Sequence, residues 1–213
     1  MNINKIAAKA DALRNKDATK AICFNLVKWA ASHEGVMVEE DLARLYRYFM
    51  PTSPAKPKTD WSWVALAAGK KDVRFYLNYI YSDGKRLMAT DGSRLHLVKT
   101  DKYEPGYYDR AGTKIHDIDW HTYPNVDRVI PNEELLDAKV AFSELEMSVT
   151  PKASAPYDHV YYFGDTCVCS AYLKEAVLGF NHNTIEYKDH DNGLAVMIHD
   201  DNKIAIVMPI RTK

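Results

Sequence analysis

Apolar residues recur at helical spacing through the N-terminal part of the chain. In "ATKAICFNLVKWAAS", Ala18, Ile22, Leu26 and Trp29 fall on one face, with Ala21 and Asn25 beside them. "GVMV", after His33 and Glu34, breaks the pattern with a glycine and β-branched residues. "EEDLARLYRYFM" then resumes it through Leu42, Leu45, Tyr46 and Phe49. Roughly two or three helices are expected across residues 3–49. "MPTSPAKPKTD" follows, with Pro51, Pro54 and Pro57 set among Ser, Thr and Lys. Such a stretch is stiff and extended and cannot pack, so it reads as a linker. A domain boundary is expected near residue 58: a helical N-terminal segment over 1–58 and a second domain over 59–213.

Beyond the boundary the period changes. "DWSWVALAAGKKDVR" opens with Asp60 as N-cap and sets Trp61, Val64, Ala65 and Ala68 on one face, which predicts a helix of about ten residues. "FYLNYIYSDG", "KRLMATDG" and "SRLHLVKTD" are short runs of strand-forming residues ended by Asp-Gly or by charges. Ser-Asp-Gly at 82–84 and Thr-Asp-Gly at 90–92 are tight-turn signals, because glycine takes φ > 0 without steric cost. A loop-rich stretch is expected over 101–131. Strand candidates "KVAFSELEMSV" and "HVYYFG" lie beyond it. "AYLKEAVLGF" predicts a second helix, 171–179, ended by Gly179. "NTIEYKDHD", "GLAVMIHDD" and "KIAIVMPIRTK" again read as strands, with Asp-rich turns between them. One unit, a helix followed by antiparallel strands, therefore occurs twice, and the fold class is α+β. Asp91 falls in a turn whose counterpart in the second copy is also Asp-rich. A hairpin turn accounts for it better than a catalytic acid does.

Bulk properties narrow the function classes only slightly. The chain has 213 residues, 46% hydrophobic and 27% charged, with a formal net charge of −1. No global basic field announces nucleic acid, although a protein that encircles its partner needs none. Residues 1–60 carry 10 Lys/Arg against 7 Asp/Glu, and the remainder carries 18 against 22. No apolar run approaches the ~18 residues of a membrane span, and no membrane partner is expected. The N-terminus has charges throughout and does not read as a secretory signal, so the cytoplasm is the expected compartment. Cys23, Cys167 and Cys169 cannot form a disulfide framework.

The sequence has no G-x-x-x-x-G-K-[ST], no G-x-G-x-x-G and no G-x-S-x-G. Cys167 and Cys169 form a C-x-C in a strand run, which reads as core rather than as a zinc site. His182, His190 and His199 lie near Asp189, Asp191, Asp200 and Asp201. These groups can ligate a divalent cation, as a metal-dependent nuclease would require, but solvated turns explain them more simply. "DIDWH" at 117–121 reads as loop surface. Tyr103, Tyr107 and Tyr108 with Lys102 and Arg110 could form a basic-aromatic stacking patch. No cofactor, no metal and no enzymatic activity are expected.

Four segments carry a family resemblance. "DVRFYLNYIYSDGKRLMATDGSRLHLV", residues 72–98, resembles the bacterial DNA polymerase III beta sliding clamps, where D-V-R-x-Y-L-N leads through a turn to V-A-T-D-G-x-R-L. "YPNVDRVIP", 123–131, resembles the family's F-P-D-Y-R-R-V-I-P, which joins its middle and last domains. "CVCSAYLKEAVLGF", 167–180, resembles F-N-x-x-Y-L-x-x-A-L, and "IAIVMPIR", 204–211, resembles V-V-M-P-M-R. The four occur in the family's order and span about residues 60–213. Residues 1–58 match nothing in a clamp. Bacterial clamps carry three domains in a much longer chain, and the compactness here suggests a phage or mobile-element version.

The resemblance implies a DNA-clamp-like domain and a polymerase processivity factor. Such rings join domains edge to edge, with helices lining the hole around double-stranded DNA. About six domains close a bacterial ring, so a homo-oligomer is implied. The lining helices would be 61–70 and 171–179. Lys70, Lys71, Arg74 and Lys174 would face phosphates in a loose, sequence-independent contact. The resemblance also implies a groove that takes short peptide motifs of DNA polymerases and clamp-loader proteins by burying apolar anchors. The matching positions are Leu77, Thr90, Gly92, Arg94, Leu95, Pro131, Ile206, Met208, Pro209 and Arg211. The family's His after Thr-Asp-Gly is Ser93 here. An alternative is a monomeric clamp-like adaptor, or a mimic that diverts a host clamp, which recruits replication or transcription partners without encircling DNA.

Overall fold

The structure is a computed structural model that describes residues 55–116, 123–145, 147–149, 159–164, 166–188 and 195–210. The expected N-terminal helices, His190, Asp189, Asp191, the 117–121 stretch and Arg211 lie outside the described residues. Residues 54–213 form one compact unit.

Helix α1 spans Asp60–Ala67. Its N-cap is Thr59, one residue earlier than expected: the Thr59 hydroxyl accepts from Ser62 N, and Ser62 Oγ accepts from Thr59 N, a reciprocal capping box. Strands β1 (Ile80–Ser82), β2 (Arg86–Thr90) and β3 (Arg94–Lys99) follow as antiparallel neighbours. The stretch expected to be loop holds two further short strands, β4 (Gly106–Tyr108) and β5 (Lys114–Ile115). β4 pairs with β1, a long-range contact that Pro105 and Gly106 conceal in the sequence. After a crossing segment come β6 (Ala138–Ala141), β7 (Met147–Val149), β8 (His159–Phe163) and β9 (Thr166–Cys169). Helix α2 spans Ser170–Val177, and β10 (Thr184–Tyr187), β11 (Val196–His199) and β12 (Lys203–Val207) close the fold.

Nine strands form one sheet in the order β5-β4-β1-β2-β3-β12-β11-β10-β6, and β7-β8-β9 form a second, three-stranded sheet. From the β3–β12 seam outward the order reads β3-β2-β1 on one side and β12-β11-β10 on the other. The repeated unit expected from the sequence is thus placed about a pseudo-twofold at that seam. Five residue pairs, Lys203↔Val98 to Val207↔Arg94, register the two halves.

Both faces of the sheet are covered. Leu87, Ala89, Val98, Val196, Ile198, Ala205 and Val207 point to one side, where α1 and α2 pack with Trp63, Val64, Leu173 and Ala176. The alternate positions Met88, Leu95, Leu97, Met197 and Ile206 point to the other, against Val126. Trp63 joins the helices: its indole N–H donates to Ala176 O at 3.1 Å.

Candidate functional site

After α1 the chain turns through Lys71, which has φ 59°. Two side chains hold this loop. Asn78 accepts from Asp72 N at 2.8 Å and donates to Asp72 O at 2.9 Å. The Asp72 carboxylate accepts from Arg74 N at 2.8 Å and from its guanidinium at 3.0 and 2.8 Å. The Arg74 guanidinium holds the Asp72 carboxyl below its ordinary range. The polar residues of "DVRFYLN" are therefore scaffolding. They deliver Arg74, Tyr76 and Leu77 to one place.

The Thr-Asp-Gly stretch meets them there. Thr90 Oγ1 donates to Arg94 O at 2.5 Å and accepts from Gly92 N at 3.0 Å. Asp91 Oδ1 accepts from Ser93 N at 2.9 Å and Arg94 N at 3.2 Å. Gly92 has φ 88°, and an added Cβ would lie 3.0 Å from the Arg74 guanidinium. Asp91 thus builds a hairpin turn, and the turn is a wall.

Between these pieces is a cavity of about 170 Å³. Leu77, Leu95, Ile206 and Met208 give it an apolar interior, and Pro124, Asn125, Val126 and Val129 close the other side. Each half of the pseudo-twofold contributes one edge, and the stretch 124–129, between β5 and β6, contributes another. The volume is below the roughly 300 Å³ at which small-molecule sites begin. It suits one or two apolar side chains of a partner rather than a cofactor. Val73 and Phe75, the chain neighbours of Arg74, are 96% and 52% exposed, and Val129 is 42% exposed.

Seven of the expected groove positions converge on this cavity: Leu77, Thr90, Gly92, Arg94, Leu95, Ile206 and Met208. Pro131 is half-buried outside the lining. Pro209 instead bridges Val168 of the second sheet. Arg74, Tyr76, Pro124, Asn125, Val126 and Val129 also line the cavity and are not among the expected groove positions. All six sit inside the motifs "DVRFYLN" and "YPNVDRVIP", so the signal was present.

The residues expected to face phosphates separate. Lys70 and Lys71 are exposed just beyond α1. Arg74 is drawn to the groove by Asp72. Lys174 is half-buried, with its Nζ 3.5 Å from Met147 Sδ, and burial lowers its pKa. Helix α1 carries no Lys or Arg.

The basic-aromatic patch is not a stacking surface. Tyr107 and Tyr108 are buried, and Tyr103 packs against Trp61 with ring centroids 5.0 Å apart. Arg110 is exposed, but its guanidinium reaches the end of α1 and donates to Ala65 O and, just past the helix, to Ala68 O and Gly69 O. Cys167 and Cys169 are buried in β9. His199 contacts Glu186 at 3.2 Å, and His182 Nε2 lies 3.0 Å from His199 O.

No family model matches the sequence, and no curated protein matches it. Solved structures do. The chain is similar to the sliding clamp of Bartonella birtlesii bound to griselimycin, with TM-score 0.52 and 18% identity over 71% of this chain and 63% of that one. It is similar to the Bacillus subtilis DNA polymerase sliding clamp, with TM-score 0.52 and 13% identity over 72% of this chain and 61% of that one. For the DNA polymerase III beta subunit of Thermotoga maritima the values are 0.50 and 17%, over 79% of this chain and 70% of that one. The mixed helix and antiparallel-sheet unit has the fold of the bacterial DNA polymerase III beta sliding clamps.

Proposed function

Starting from the sliding-clamp fold, we propose that this chain is a processivity factor of the sliding-clamp type. It docks a DNA polymerase or clamp-loader-type protein through a short apolar peptide in the groove. It holds duplex DNA without sequence preference, in a ring built from several copies. It acts in the cytoplasm and catalyses no reaction. Among the described residues no helix is long and apolar enough to cross a membrane.

The observation that carries this reading is the convergence of Leu77, Leu95, Ile206 and Met208, from both halves, on one small apolar cavity. An anchor side chain fills such a hole, and flanking contacts exclude water from it. The exposed Val73, Phe75 and Val129 extend the apolar surface beside it. Fluorescence titration of the full chain with a labelled peptide bearing Leu and Phe anchors tests the docking step. Saturable binding that Met208→Glu abolishes is expected. Binding that survives Met208→Glu would place the peptide elsewhere.

A second reading is the monomeric adaptor or host-clamp mimic. It is favoured by the charge on the helices. Helix α1 has no basic residue, and the single lysine of α2 lies against Met147. The two readings share the groove and differ in assembly, which the solution mass separates.

A further inference from the structure

Two charged side chains line the apolar groove: Arg74, half-exposed and paired with Asp72, and Arg94. Arg94 is 9% exposed at its side chain and still belongs to the cavity wall. A guanidinium so placed must spend its donors on partners. Its Nε donates to Asp91 Oδ2 at 3.0 Å, its Nη2 to Leu66 O at 2.6 Å and its Nη1 to Glu175 Oε2. The guanidinium carbon lies 4.2 Å above the Tyr172 ring. None of Asp91, Leu66, Glu175 or Tyr172 lines the cavity. Every one of these contacts therefore engages Arg94 from outside the groove.

Glu175 differs from the other partners. It comes from α2, in the opposite half of the pseudo-twofold, and its side chain is 25% exposed. It also acts on a second cation. Arg110 feels the repulsion of Arg94 and the attraction of Glu175, after the larger effect of its own burial. Arg110 is tied to three carbonyls of the α1 terminus, whereas Arg94 borders open space. Without the Glu175 carboxylate, Arg94 loses the partner of its Nη1, the end of the guanidinium then left to turn toward the groove it borders.

We infer that Glu175 is a positioning residue that sets the charge preference of the groove. It retains Arg94 and, with Asp91, masks its charge. The groove then selects a peptide with an uncharged residue between its apolar anchors over one with an acidic residue there. This rests on the groove being a peptide site, as proposed above.

The test uses the full chain and two fluorescein-labelled hexapeptides. Both carry Leu and Phe anchors; one has serine between them and the other aspartate. The wild type binds the serine peptide more tightly, by about fivefold. Glu175→Gln keeps the hydrogen-bonding shape and removes the charge, and it brings the ratio to about one or reverses it. Glu175→Asp, which keeps the charge, retains a wild-type preference. A ratio unchanged in Glu175→Gln, with both peptides bound, overturns the inference and leaves the groove reading intact. A wild type that binds neither peptide overturns the groove reading and this inference with it. The Arg94 Nε–Hε signal of the free protein gives a readout without peptide. Its solvent exchange is expected to be several-fold faster in Glu175→Gln, and unchanged exchange counts against the retention of Arg94 by Glu175.

Discussion

His96 gives the sharpest stability prediction. It sits in the middle of β3, fully buried, with Nδ1 2.8 Å from Trp63 O and its ring stacked 4.4 Å from that of Trp63. A carbonyl only accepts, so Nδ1 carries the proton, and Nε2 has no partner. Burial pushes the pKa from 6.5 down to about 3, and Arg94 adds to the shift, while the Trp63 carbonyl opposes it. The folded pKa is depressed, so the unfolded chain takes up a proton as pH falls through 6.5 and the native chain does not. Stability is unaffected above that value and is lost below it, at about 1.4 kcal/mol per pH unit. The whole effect between pH 6.5 and 3 is about 5 kcal/mol. His96→Phe keeps a ring on Trp63 but leaves the Trp63 carbonyl unpaired, which costs about 1–3 kcal/mol at every pH. Urea unfolding of both proteins from about pH 7 to 4 measures the difference, and carboxylate contributions common to both cancel. The wild-type advantage at neutral pH is expected to shrink and then reverse, changing by about 3 kcal/mol over that range. A difference that stays constant with pH would refute the account of His96 as a neutral core residue.

Three other substitutions separate the groove from the scaffold. Val129→Glu alters a 42% exposed groove residue, so stability should move by no more than about 0.5 kcal/mol, while peptide affinity falls at least about tenfold in the same titration. Gly179→Ala would set a Cβ 2.2 Å from Trp63 Cε2, and thermal unfolding should show a loss of about 1–3 kcal/mol. Arg110→Ala strips three carbonyls of their donor at the end of α1; a loss of about 1–3 kcal/mol is expected, with faster hydrogen exchange in the last turn of that helix.

The repeated architecture was legible because its signals are local. Alternation in "SRLHLVK" and glycine in Ser-Asp-Gly and Thr-Asp-Gly mark strands and turns without reference to distant residues. Helix α1 was legible in position but not in its cap, since Thr59 and Asp60 are both good caps and the Ser62 hydroxyl decided between them. Strands β4 and β5 were not legible, because only pairing to β1 makes Gly106–Tyr108 a strand. Most groove residues were found through the resemblance rather than through periodicity, which shows Leu95 and Ile206 only as buried. The contacts of Arg74 and Lys174 were not legible, for one reason. Charge on a sequence does not say which partner will take it, and here Asp72 claimed the first while Met147 and burial claimed the second. The Tyr103–Arg110 patch misled similarly, since Arg110 serves the carbonyls of α1.

The central claim is that the clamp fold works here as a ring with a docking groove. Its most direct test is the solution mass of the full chain, by light scattering across a concentration series. The account predicts a closed multiple of the chain, about six copies if the ring follows bacterial proportions, whose mass holds steady on dilution. A strictly monomeric mass at every concentration would contradict encirclement by this protein and leave the groove to an adaptor.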